Sequence, residues 1–162
     1  MRKQIIFFIS LIFAVSMVLS ACGSESKTLT YEFLSFETPT GFTQSGSSSE
    51  PFFDDGDGQS ISIHIDTSDS EYLTAEDMLE NRLEPDQDSL SDFNRMDDYI
   101  VDGVSCPNVY FFDSELDAGF GDVYMIHGNS LVTFSLQSYK NEFPGDVSER
   151  FYEFLDTVHI IE

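Results

Sequence analysis

Apolar and polar residues alternate along much of the chain after residue 30. The clearest case is 60–66, where isoleucines at 61, 63 and 65 alternate with polar residues. A period of two is typical of a strand with one buried face, as in an antiparallel sheet. The same period follows the Gly128-Asn129 turn, at 132–137. Further strands are predicted at 31–37, around Phe52, at 93–101 and at 104–113, and Asp102-Gly103 between the last two is a hairpin turn signal.

Two other segments have the period of a helix. In 74–84 the apolar residues form one stripe, Thr74 and Asp77 resemble a capping box, and Pro85 ends the helix. A second helix is predicted from about 146 to 158, after Pro144-Gly145. The order of elements predicts an α+β domain, in which a largely antiparallel sheet of about six or seven strands is covered by two amphipathic helices.

The stretch "FETPTGF", at 36–42, follows the first predicted strand. This proline-glycine-aromatic turn, together with the closing helix, resembles the Mog1/PsbP-like family over roughly residues 31–162. The resemblance implies a curved antiparallel sheet on which the final helix packs. It also implies an accessory or assembly protein that binds other proteins, because few members are enzymes and several are lipid-anchored. No site residue carries over, since the chain shows no family motif beyond the turn.

The front of the chain has the pattern of a secretory signal. Arg2 and Lys3 precede an apolar run of 15 residues at 5–19, which ends in "LSAC" at 19–22. The run is shorter than the roughly 20 residues that a membrane-spanning helix needs, so an uncleaved anchor is the weaker alternative. "LSAC" resembles the lipobox of bacterial lipoproteins. This resemblance implies a signal peptide at 1–21, cleavage before Cys22, and lipidation of the Cys22 sulfur.

The predicted organisation places the protein at a membrane. Two acyl chains suffice for stable anchoring, which one chain does not provide. Residues 22–30 form the lipidated N-terminus and a short polar tether, and 31–162 form a single α+β domain. Eight tether residues reach at most about 28 Å. We therefore expect a lipid-anchored protein on the extracytoplasmic face of the cell membrane, with a protein partner at the same face.

The charge balance excludes one class of partner. The chain has 30 acidic and 7 basic residues, a net charge of −23, and loses two of its bases if residues 1–21 are removed. A field of this sign repels nucleic-acid phosphates, so nucleic-acid binding is excluded. The acidic residues otherwise serve solubility, or they attract a loosely held cation or a basic partner.

Candidate catalytic chemistry is sparse. Cys106 is the cysteine left after lipidation of Cys22, and its strand-like surroundings predict burial rather than a reactive thiol. His64, His127 and His159 lack metal-ligand spacing. No nucleophile elbow or phosphate loop is present. We predict no catalytic residue, no resident metal and no cofactor.

The best cation candidate is the loop Asp54-Asp55-Gly56-Asp57-Gly58. Carboxylates on a tight glycine turn suit calcium, but the EF-hand pattern fails in every register. Asp-Gly is also a common hairpin turn, which is the favoured interpretation; weak calcium binding is the alternative.

Three functional hypotheses result. The first is a non-catalytic protein-binding or accessory lipoprotein, not an enzyme. The second is a lipoprotein that binds a cation or small solute through its acidic loops. The third, a hydrolase with an unrecognised site, has no motif in its favour.

Overall fold

The computed structural model describes residues 27–45, 50–67, 74–79, 90–139 and 145–161. The predicted signal peptide and Cys22 lie outside these residues, as do residues 80–84 of the first predicted helix. Within the described ranges, no helix is long and apolar enough to cross a membrane.

Ten strands and two helices make up the described part of the chain. In chain order they are β1 (Thr28–Tyr31), β2 (Leu34–Glu37), β3 (Thr43–Gln44), β4 (Phe52–Asp54), β5 (Gln59–Asp66), α1 (Ala75–Met78), β6 (Leu90–Val101), β7 (Val104–Asp113), β8 (Ala118–His127), β9 (Ser130–Ser138), α2 (Gly145–Leu155) and β10 (His159–Ile160).

Seven strands form the main sheet, in the order β3-β4-β5-β9-β8-β7-β6. All neighbouring strands are antiparallel. The predicted alternation is confirmed in β5, where Ile61 and Ile63 are buried and His64 is exposed. The last strand in the sheet order is β6, and its pairing with β7 is interrupted by two irregularities, between Ser91 and Asn94 and between Met96 and Tyr99.

A second, three-stranded sheet has the order β1-β2-β10. The prediction of one strand over 31–37 is wrong, because a two-residue turn separates β1 from β2. Glu32 adopts a φ of 53°, in the left-handed region, which no strand residue occupies. The turn folds the chain back so that Leu34 and Phe36 of β2 are buried.

The two helices lie on opposite faces of the main sheet. The predicted capping box is confirmed at α1, where the backbone N–H of Asp77 donates to Thr74 Oγ1 (3.1 Å). This helix is one turn long within the described residues, so the expected cover by two amphipathic helices is met only in part. The predicted second helix corresponds to α2, which ends at Leu155 rather than near Val158.

Most of the core lies between α2, the small sheet and one face of the main sheet. Phe36, Phe53 and Phe154 meet there with ring centroids about 6 Å apart. Cys106 faces the same core and is fully buried, which confirms the burial prediction. Burial raises the pKa of its thiol to about 11, so the nucleophilic thiolate is disfavoured.

Candidate binding cleft

The main sheet has a depression on the face that carries α2. Gly121 of β8 pairs with Tyr110 of β7 on one side and with Leu136 of β9 on the other. Gly119, two residues earlier in the strand, lies on the same face of the sheet and also lacks a side chain. The nearest atom to a Cβ built at Gly121 is Leu136 Cβ at 3.9 Å, so a side chain would fit there. The absence of that side chain leaves the depression open.

Helix α2 forms the other wall. Ser148, Phe151 and Tyr152 are spaced three and four residues apart, which places them on one face of the helix. Between this face and the sheet lies a cavity of about 340 Å³, here called the α2–β6 cleft, at the lower end of the range for small-ligand sites. Its lining consists of Asn94, Arg95, Met96, Asn108, Val109, Tyr110, Gly121, Leu136, Ser148, Phe151 and Tyr152.

Tyr152 is held on both sides. The side-chain amide of Asn108 donates to its hydroxyl (3.0 Å), and the ring of Tyr99 stacks on its ring with centroids 4.9 Å apart. The Tyr99 hydroxyl also donates to Asp156 Oδ1 (2.6 Å). Burial, followed by the nearby Asp156 carboxylate, raises the pKa of Tyr99, so its hydroxyl remains a neutral donor. These contacts preform this wall of the cleft.

The lining suits binding better than catalysis. Met96, Leu136 and Phe151 supply apolar surface, and the Met96 side chain is 49% exposed at the sheet edge. The guanidinium of Arg95 is already engaged by Glu76 (2.9 Å) and Asp98 (2.7 Å). None of the described lining residues is His, Cys, Asp or Glu, so the lining presents no ordinary general base.

The predicted acidic loop has the geometry of a turn. Asp54 Oδ1 accepts the backbone N–H of Gly56 (2.7 Å), and Asp55 Oδ1 accepts those of Asp57 (2.8 Å) and Gln59 (3.1 Å). The second Asp55 oxygen lies 3.8 Å from an Arg150 nitrogen. No group of three or more metal-ligand side chains is found among the described residues. The carboxylates of Asp54 and Asp55 therefore stabilise the loop itself.

The three histidines remain apart from one another and from the cleft. His64 lies 3.7 Å from Glu50, and His127 packs against Phe33. His159 lies 3.2 Å from Asp102 in the β6–β7 turn. The backbone N–H of Ile160, followed by His159, lowers the pKa of Asp102. This His–Asp pair is solvent-exposed, and the hydrolase hypothesis gains no site from it.

A buried carboxylate lies on the opposite face of the main sheet. Asp122 is 7% exposed and accepts hydrogen bonds from the hydroxyls of Tyr124 and Ser135. Burial raises its pKa to about 6, although both hydrogen bonds oppose the shift. Asp122 is one of 30 acidic residues in the sequence, and nothing in its local sequence marks it as buried, so sequence analysis did not single it out.

The cleft itself was missed by sequence reasoning. One signal was available, because Gly119 and Gly121 interrupt a strand of mostly apolar residues. Glycine inside a strand often marks a close approach or a space beside the backbone.

Comparison with known structures identifies the fold. No model of a known protein family matches the sequence, and no curated protein sequence matches it. The Ran-binding protein Mog1p of Saccharomyces cerevisiae matches with a TM-score of 0.54 and 12% identity, over 86% of this chain and 97% of that chain. The cyanobacterial PsbP of Synechocystis, CyanoP, matches with a TM-score of 0.53 and 16% identity, over 86% of this chain and 96% of that chain.

The chain has the Mog1/PsbP-like fold. A structure from Bacteroides thetaiotaomicron agrees, with a TM-score of 0.57 and 12% identity over 85% of this chain and 49% of that chain. The fold expected from "FETPTGF" and the element order is thus confirmed. At these identities the likeness extends to the Mog1/PsbP-like architecture and not to any particular site.

Proposed function

We propose that this protein is a lipid-anchored accessory protein of the extracytoplasmic membrane face, which binds another protein through the α2–β6 cleft and catalyses no reaction. The observation that carries the proposal is the open cleft at the end of the main sheet, whose lining joins exposed apolar surface to amides and hydroxyls. The Mog1/PsbP-like fold supports it, since Mog1p is a Ran-binding protein.

The anchor is proposed from Cys22 in the lipobox-like "LSAC". The first strand, β1, begins at Thr28, so 23–27 separate the folded part from Cys22. Five residues span at most about 18 Å, less than the tether expected from the sequence. A domain on so short a tether meets partners at the same membrane face.

Met96 marks the place where a partner would touch. It lines the cleft and is half exposed, on the strand at the end of the main sheet. Exposed apolar side chains beside a preformed pocket are typical of protein-binding surfaces. Leu116, in the turn after β7, is comparably exposed at 56% but does not line the cleft, so it provides a matched control.

Site-specific photocrosslinking tests the proposal. A photoreactive residue replaces Met96 in the full chain, and intact membranes of the source organism are irradiated. We expect a discrete crosslinked protein from the Met96 position and none from the same residue at Leu116. Equal crosslinking at both positions, or none at either, would contradict binding through the cleft.

A further inference from the structure

The geometry points to an extended, basic segment of a partner protein as the occupant of the α2–β6 cleft, with one bulky apolar side chain inserted between α2 and the sheet. This inference rests on the proposed function and specifies the chemistry of the partner. It is argued from the interior of the cleft, the charges around its mouth and the shape of β6.

The interior fits an apolar side chain. Leu136 and Phe151 are almost fully buried at the inner end, beside the space that Gly121 leaves open. A cavity of about 340 Å³ is large enough for an aromatic side chain and too small for a folded element. Asn94 and Ser148 add polar groups to the lining, which suits a peptide backbone beside an apolar anchor.

Exposed carboxylates are the sequence neighbours of lining residues on both walls of the cleft. Asp97 and Asp98 directly follow Met96 on β6, and all three are exposed. On α2, Glu149 and Glu153 each follow a lining residue and are exposed as well. The lining contributes one cation, Arg95, which already pairs with Glu76 and Asp98. With Asp98 engaged by Arg95, the other three carboxylates and the net charge of −23 make the surroundings of the cleft complementary to lysine or arginine side chains next to an apolar residue.

The shape of β6 disfavours simple strand addition. Two irregularities interrupt its pairing with β7, and charged residues lie at its exposed positions. Bulges and charges are the features by which proteins protect strand edges from pairing with other chains. Recognition through an inserted side chain remains available, because the cleft opens beside β6 and not along its backbone.

Defined peptides test this inference on the full chain in detergent micelles, at about 0.15 M salt so that long-range attraction is screened. The first peptide carries one central phenylalanine between lysines. The second replaces phenylalanine with serine, and the third replaces lysines with glutamates. We expect the first to bind, the second to bind at least about tenfold more weakly, and the third not to bind.

Variants of the protein locate the binding. Gly121→Leu fills the inner end of the cleft, and we expect it to weaken binding by at least about tenfold. Met96→Ser removes apolar surface at an exposed position and decides the question if Gly121→Leu does not fold. Leu116→Ala is the control and should leave the affinity unchanged.

Two double variants that remove the same number of negative charges distinguish an effect local to the cleft from an effect of the net charge. Glu149→Gln with Glu153→Gln should weaken binding by about threefold or more. Glu32→Gln with Glu115→Gln changes the net charge by the same amount, in two turns outside the lining. We expect it to change log Kd by less than half as much as the first double variant does. Equal effects of the two pairs would overturn the inference, as would unchanged binding to both cleft variants.

Two further outcomes keep the inference distinct from the proposed function. If Met96 crosslinks a partner whose crosslinked segment is acidic, the proposed function stands and this inference fails. If a small molecule co-purifies with the chain and is displaced by Gly121→Leu, the cleft belongs to a solute and both fail. A crosslinked segment with an apolar residue between lysines or arginines would support both.

Discussion

The side-chain amide of Asn108 donates a 3.0 Å hydrogen bond to the hydroxyl of Tyr152, and so joins the sheet to α2 beside the cleft. Asn108 is 6% exposed, so loss of its partner leaves a buried amide. We expect Tyr152→Phe to lower the free energy of unfolding by about 1 kcal/mol or more. Tyr139 is 59% exposed, and Tyr139→Phe should change that free energy by less than about 0.5 kcal/mol in the same urea titration. Equal losses would contradict a role for this bond.

Asp122 predicts a specific pH dependence of stability. Its pKa of about 6 in the folded protein lies above the value near 4 expected when unfolded. Between about pH 4 and 6 the folded protein therefore holds a proton that the unfolded chain releases. This stabilisation is complete below about pH 4 and is lost as the pH rises through 6.

The variant Asp122→Asn isolates this effect, because an amide keeps the size of the side chain without titrating. We expect the wild type to lose about 2–3 kcal/mol relative to Asp122→Asn as the pH rises from 4 to 7. Unfolding free energies of both proteins, measured by denaturant titration at each pH, provide the difference. A difference that does not change with pH would show that Asp122 is not buried in the folded protein.

Gly103 and Gly121 should differ in how well they tolerate replacement by alanine. Gly103, in the β6–β7 turn, has a φ of 83°, and a Cβ there would meet nothing within 4 Å. Gly103→Ala should therefore destabilise the protein by about 1 kcal/mol through backbone strain alone. Gly121 has no such φ, and Gly121→Ala should be close to neutral. Thermal unfolding of both variants provides the comparison, and similar losses would contradict it.

The acidic loop makes a prediction about calcium. Because Asp54 and Asp55 accept backbone N–H groups within the loop, millimolar calcium should leave the Tm of the full chain unchanged. Magnesium at the same ionic strength is the control for screening of the net charge. A rise in Tm with calcium and not with magnesium would revive the cation-binding hypothesis.

Variants of the two cysteines distinguish membrane anchoring from a role in the folded core. We expect Cys22→Ala to abolish incorporation of labelled palmitate and to release the protein from the membrane. Cys106→Ala changes a buried core residue and should leave both labelling and membrane association intact. Membrane retention of Cys22→Ala would instead favour an uncleaved apolar anchor at 5–19.

Sequence patterns were sufficient where one residue fixes local geometry. Thr74 with Asp77 predicted the start of α1, and Asp102-Gly103 predicted the β6–β7 turn, where both residues have positive φ. The split between β1 and β2 was not predictable in the same way. Glu32 has no preference for the left-handed region, and the turn there is stabilised by burial of Leu34 and by the pairing of β2 with β10.

By itself the sequence determined the alternating strands, the closing helix and the acidic charge, since each depends on residues that are close together in the chain or on composition alone. The Mog1/PsbP-like fold was expected from the order of these elements and the turn at 36–42. Only the tertiary structure brought Asn94, Gly121 and Tyr152 together at one cleft. It also buried Asp122 beside its two hydroxyl donors, Tyr124 and Ser135. The physical reason is that a cavity or a shifted pKa depends on neighbours from distant strands, and strand pairing is decided by the packing of the whole sheet.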